Sequence, residues 1–213
     1  MKRTVIVTGS ASGLGSAVAE KLRDLGDRVI GVDFSHAEVT ADLSTVAGRL
    51  EGAEKALELS GGTIHSIVAC AEFNVPKPVA ISVNFFGVTH FVEALSDILT
   101  ENRHTSVITF TDTQKEIPVC ENLVSAMLAG DEPRALFLGQ NLADVSLEQG
   151  QLNYTSSKRA LHTWIDTQRD HKQWAGAGIS LHSIDRSTWR NHHNMADLLD
   201  VVVSLTHPMP YAV

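Results

Sequence analysis

Cysteine is scarce in this chain: Cys70 and Cys120 are the two among 213 residues. No disulfide framework follows from them, and a reducing compartment is the simplest reading. Clusters of Lys and Arg are also missing, and the formal net charge is −8. A surface that neutralises nucleic-acid phosphates needs such clusters, so no nucleic-acid partner is expected. Long apolar runs are absent. Met1-Lys2-Arg3 passes straight into a strand signal with no apolar signal core. The stretch from Leu198 to Leu205 is interrupted by Asp200 and is too short to span a bilayer. A cytoplasmic protein with no membrane partner is expected. Metal-ligand spacing is lacking as well, because the consecutive His192-His193 would point apart and have no acid or cysteine at ligand spacing. No metal site is expected. Apolar content of 43% and charged content of 20% are ordinary, and the length suits one domain with a real core.

What is present is concentrated at the start. Thr4-Val5-Ile6-Val7 is β-branched and apolar, and it leads into Thr8-Gly9-Ser10-Ala11-Ser12-Gly13-Leu14-Gly15. The pattern reads as a buried strand, a glycine-rich turn and a helix. Glycines let the backbone approach a ligand closely, and the helix N-terminus aims unpaired N–H groups and a positive dipole end at the turn. A pyrophosphate fits such a site, although a purely structural strand-to-helix turn would carry the same residues. A second strand, Arg28 to Asp33, ends in an acid about twenty residues beyond the turn. There Asp33 is placed either to cap a turn or to accept hydrogen bonds from an adenosine ribose. In the second role it favours NAD over NADP by repelling a 2′-phosphate.

Further along, Glu38 to Leu43 gives a very short strand signal, followed by helix to about Leu59 and the stop Gly61-Gly62. Strands are expected at Ile64 to Cys70, Ser106 to Thr111 and Ile179 to Ile184. Helices are expected at about Ala80 to Thr100, Leu152 to Trp174 and Met195 to Leu205. A helical insertion occupies residues 115–151. Strands alternating with helices of this length predict an α/β fold: one Rossmann-type, doubly wound parallel sheet in a single domain. Cys70 reads as a small buried residue, and Trp164 and Trp174 as packing.

On the long helix, Tyr154 and Lys158 stand four residues apart and share a face. An ammonium near a phenol favours the phenolate, which turns the tyrosine into a proton donor or acceptor nearer neutral pH. Alone, this spacing is common on surface helices. The ordered set Thr8-Gly9, Gly13, Gly15, Asp33, Asp42-Leu43, Asn84 and Tyr154-x-x-x-Lys158 resembles the short-chain dehydrogenase/reductase family from Val5 to about Leu205. Gly31 to Thr45, with no helix between the second and third strands, and Ser82 to Gly87 add to the likeness.

The resemblance implies NAD as cofactor and an alcohol or ketone, hydroxysteroid-like or otherwise apolar, as small-molecule substrate. It implies that Gly9, Ser12, Gly13, Leu14 and Gly15 hold the pyrophosphate, Asp33 and Phe34 the adenosine ribose, and Asp42 and Leu43 the adenine. Cys70 and Ala71 would flank the cofactor. Tyr154 would exchange a proton with the substrate, Lys158 would bind the nicotinamide ribose, and Asn84 would support a relay water. The family serine is replaced by Thr111, with Thr113 as the alternative alignment. A non-catalytic dinucleotide-binding or interaction protein on the same fold is the rival reading.

Two further departures shape expectations. The family's Asn-Ala-Gly turn reads Cys70-Ala71-Glu72, which puts a carboxylate where repulsion of the pyrophosphate is expected. The Pro-Gly after the sixth strand reads Arg186-Ser187. The covering loop is shortened to about Ser187 to Asn194, and the family's final strand is expected to be missing. At most a homodimer is expected, since the insertion and the shortened end remove usual pairing surfaces.

Overall fold

The computed structural model describes residues 2–102, 104–112, 117–186 and 194–207. Thr113, the covering loop from Ser187 and the pair His192-His193 lie outside them, as do residues 208–213, on which the expectation of a missing final strand falls.

β1 (Thr4–Thr8) is buried along its whole length, as a central strand covered on both faces must be. β2 (Arg28–Asp33), β3 (Val39–Thr40), β4 (Ser66–Ala69), β5 (Thr105–Thr111) and β6 (Ile179–Asp185) join it in one parallel sheet of order β3-β2-β1-β4-β5-β6. The period-two alternation of β1 sends Val5 and Val7 to one core and Ile6 to the other. The first core packs Val18 and Leu22 of α1 (Gly13–Asp24) and Leu198 and Val202 of α9 (Met195–Thr206) on the sheet. The second packs α2 (Val46–Ser60), α4 (Gly87–Ala94) and α8 (Leu147–Gln168) on the opposite face. Winding reverses at β1, which lies between β2 and β4, so a crevice opens beyond their C-terminal ends. The expected doubly wound α/β fold is the observed one.

Two helices differ from expectation. The segment expected as one helix from Ala80 to Thr100 is broken into α3 (Val79–Ile81), a π-turn (Ser82–Phe86), α4, and α5 (Ser96–Asn102). The helix expected from Leu152 to Trp174 runs from Leu147 to Gln168. Its start is set by Ser146, whose hydroxyl accepts the Gln149 N–H at 3.1 Å as an N-cap. Trp174 lies past its end and folds back edge-on against Trp164, with ring centroids 5.9 Å apart.

The stretch 115–151, expected as a helical insertion, holds α6 (Glu121–Leu128), α7 (Glu132–Val145) and the start of α8, and both α6 and α7 pack on α8. Arg49, 1% exposed, ties α7 to the rest: it meets both Glu132 oxygens at 2.6 and 2.7 Å and donates to the Leu43 carbonyl at 2.8 Å. Among the described residues, no single helix is long and apolar enough to cross a membrane.

Candidate active site

The glycine turn is built for close approach. Gly9 sits at φ +69°, and a Cβ there would meet the Ala71 backbone nitrogen at 2.7 Å. Its N–H donates to the Val32 carbonyl at 2.8 Å, and the Ala71 N–H donates to Thr8 Oγ1 at 3.2 Å. The ends of β1, β2 and β4 are thereby tied around the turn. Ser12 stands at the N-cap of α1 but makes no side-chain cap bond, so it does not occupy the first-turn N–H groups.

A cavity of about 250 Å³ opens over this turn. Gly9, Ser12, Gly13, Leu14, Gly15, Asp33, Phe34, Asp42, Leu43, Cys70 and Ala71 all line it. The residues singled out for the adenosine and pyrophosphate part therefore converge on one space. Asp33 is held at the end of β2, accepting the Ala11 N–H at 2.9 Å and the Phe34 N–H at 2.6 Å. Asp42 Oδ1 accepts from the Ser44 N–H at 2.9 Å and hydroxyl at 2.6 Å, which fixes the turn under Leu43. Cys70 is half-buried where it meets the cavity, and desolvation and then the nearby Glu72 push its thiol far up, which disfavours the thiolate.

Tyr154 and Lys158 share the buried face of α8, 6% and 3% exposed. The Lys158 ammonium lies 5.9 Å from the Tyr154 ring centroid. Lys158 Nζ meets Glu72 Oε2 at 2.6 Å and donates to the Phe110 carbonyl at 3.1 Å, while Arg186 Nη1 meets Glu72 Oε1 at 2.5 Å.

This corrects the expectation for Glu72. Its carboxylate is neutralised between two cations and is not a bare charge facing a pyrophosphate. Burial pushes the Glu72 carboxyl up, but Lys158 and Arg186 more than offset that and hold it below its usual range. Burial likewise pulls the Lys158 ammonium down, and Glu72 only partly restores it. Arg186 goes the other way: burial lowers it, yet Glu72 and the electrostatic reach of Tyr154 and Asp112 leave it raised. Reading Glu72 and Arg186 separately as departures missed that each is the other's counter-ion.

Asn84 lies in the π-turn and is buried. Its Oδ1 accepts the Phe73 N–H at 2.8 Å, and its Nδ2 donates to the Phe73 carbonyl at 3.0 Å and Ser157 Oγ at 3.1 Å. The carboxamide pins the loop that carries Glu72. Thr111 is fully buried, its hydroxyl 2.9 Å from Ser183 Oγ on β6. Phe73 and Val83 line the cavity beside Glu72 and had no sequence signal beyond adjacency to the motifs.

A parallel sheet with a glycine turn after β1, an acid after β2, and Tyr-x-x-x-Lys on a buried helix together make the combination by which the chain resembles the short-chain dehydrogenase/reductase family. No protein-family model matches it. It is similar to the 3-alpha-hydroxysteroid dehydrogenase/carbonyl reductase of Comamonas testosteroni, 28% identical over 185 residues that cover 84% of this chain and 70% of that one. A chloroplastic NADPH-dependent aldehyde reductase-like protein of Arabidopsis thaliana is 26% identical over 197 residues, 85% of this chain and 70% of the relative. Among solved structures, the NADH complex of 3-alpha-hydroxysteroid dehydrogenase from Pseudomonas sp. B-0831 superposes with a TM-score of 0.82 at 29% identity. That superposition covers 96% of this chain and 90% of the other.

Proposed function

We propose that the protein is a nicotinamide-dinucleotide oxidoreductase that uses NAD(H) and acts on a secondary alcohol or its ketone, with steroids or other apolar carbonyl compounds as the substrate class. The observation that carries this reading is that Tyr154 and Lys158 lie on one buried face of α8. The cleft lined by the glycine turn and Asp33 reaches Glu72, the ion-pair partner of Lys158. The names of the two dehydrogenase relatives support the substrate class, and Asp33 supports NAD over NADP.

The residues present fit the adenosine and pyrophosphate part of such a cofactor: Gly13, at φ +55°, has nothing within 4 Å of where its Cβ would be. When bound, the cofactor supplies the hydride acceptor or donor. Tyr154 holds the proton at its phenol oxygen and passes it to the substrate oxygen during reduction, or takes it during oxidation. The Arg186 guanidinium lies within electrostatic reach of Tyr154. Thr111 keeps a hydroxyl near the end of β5 in place of the family serine. A homodimer is the largest assembly in this reading, since α6 and α7 cover α8.

The test is reduction of a panel of ketones followed by NADH absorbance. Tyr154→Phe should lower turnover by roughly a hundredfold or more with NADH affinity unchanged, because the phenol acts mainly in the transition state. Unchanged turnover in Tyr154→Phe would remove the proton role. A second reading is favoured by the Lys158–Glu72 contact at 2.6 Å: a dinucleotide-binding protein with little or no turnover. NADH binding with no turnover on any carbonyl compound would select it.

A further inference from the structure

The cofactor cleft is divided. Its open part is about 250 Å³, small beside the roughly 300–1,000 Å³ usual for ligand pockets, and it runs from Asp33 and Leu43 over the glycine turn to Ala71 and Glu72. Tyr154 and Lys158 do not line it. Between the open part and Lys158 stands the Glu72 carboxylate, which lines the cavity and is bonded on one oxygen to Lys158 and on the other to Arg186. Lys158 is buried and the other two are half-buried, with side-chain exposures of 4% for Lys158, 21% for Glu72 and 24% for Arg186. The loop under Glu72 is fixed in turn by the three hydrogen bonds of Asn84.

We infer that Glu72, Lys158 and Arg186 form an ion-paired plug across the nicotinamide end of the cleft, so that the closed protein is a complete site for an adenosine 5′-diphosphate moiety alone. The inference rests on the cofactor reading above and adds what limits it. An ADP-class nucleotide has its phosphate donors at the α1 N-terminus and its ribose acceptor at Asp33, and it leaves the plug intact. A whole dinucleotide brings a second ribose to Lys158, whose ammonium must first exchange the Glu72 carboxylate for a ribose hydroxyl. Replacing a charged partner by a neutral one loses affinity for the nicotinamide half and nothing for the adenosine half. Arg186 makes the exchange reversible, because it retains Glu72 when Lys158 is released.

Isothermal titration with ADP and with NADH, on the wild type and on Glu72→Gln, tests this. In the wild type the two dissociation constants should lie within about threefold of each other, the nicotinamide half adding almost no net affinity. In Glu72→Gln, NADH should tighten about tenfold or more relative to ADP, the worth of the charged hydrogen bond no longer broken. The charge change acts on the diphosphate common to both ligands and largely drops out of that ratio. NADH binding about tenfold or more tighter than ADP in the wild type, or a ratio unmoved by Glu72→Gln, overturns the plug while leaving the cofactor reading intact. The wild-type comparison stands if Glu72→Gln fails to fold. Failure of both ligands to bind the wild type overturns the cofactor reading, and the plug with it.

Discussion

Discrimination between NADH and NADPH is where the geometry gives a magnitude. The Asp33 carboxylate is fixed by the Ala11 and Phe34 N–H groups at 2.9 and 2.6 Å, so it cannot swing away without breaking both bonds. A positive group to screen a 2′-phosphate is not at hand on α1: Arg23 is ion-paired at 2.8 Å with Glu38, whose other oxygen accepts the Gly31 N–H at 2.9 Å. At about 5 Å and an effective dielectric of about 20, one unit charge pair costs about 3 kcal/mol. Asp33 is partly exposed, and salt screening takes away about half of that. What remains is about 1.5 kcal/mol, or a preference for NADH of about tenfold. The assay is calorimetric titration of both reduced cofactors at low and physiological salt, on the wild type and on Asp33→Asn. The wild type should favour NADH by about tenfold or more, less at high salt, and Asp33→Asn should bring the two within about threefold. Equal affinities in the wild type, or a preference untouched by Asp33→Asn, would refute the assignment of Asp33.

The fold was legible wherever periodicity is strong. The run Thr4 to Val7, the acid closing Arg28 to Asp33, and the four-residue step from Tyr154 to Lys158 are local patterns, and the structure keeps each of them. The π-turn at Ser82–Phe86 left no mark, since buried residues continue through it from Ala80 to Phe86 and an apolar pattern cannot show a change of hydrogen-bond register. The start of α8 was missed because Glu148 and Gln149 interrupt the apolar spacing there, and Ser146 sets the boundary as a cap. The plug was illegible for a different reason. Glu72 and Arg186 are separated by 114 residues, and only the order β4-β5-β6 brings their strand ends together. Two departures from a family pattern that looked like independent damage are, in space, one ion pair.

Three further outcomes are expected. Gly15→Ala would drive a Cβ into the Gly9 carbonyl oxygen and should lower stability, whereas Gly13→Ala meets open space and should cost only about 1 kcal/mol of backbone strain while weakening nucleotide binding; thermal melts and titration separate the two. Glu132→Gln leaves the buried Arg49 without its carboxylate and should cost about 3 kcal/mol, lowering Tm by roughly 6–12 °C, while Glu51→Gln at the exposed 3.9 Å pair with Lys55 should change stability by less than about 0.5 kcal/mol. The last concerns acid. Because the folded-state pKa of Glu72 is depressed, its contribution is fully present above the unfolded carboxyl value of roughly 4.3 and is lost as pH falls through the folded value. Protonating it leaves Lys158 and Arg186 without the carboxylate that pairs them, with Asp112 the acid still within electrostatic reach of both, the same arrangement that Glu72→Gln creates at every pH. Urea unfolding should therefore find the wild type about 3 kcal/mol more stable than Glu72→Gln at pH 7, with the gap steady down to roughly pH 4.5 and closing below it. A gap that stays constant to pH 3, or widens on acidification, would mean that Glu72 is not the anion holding the two cations together.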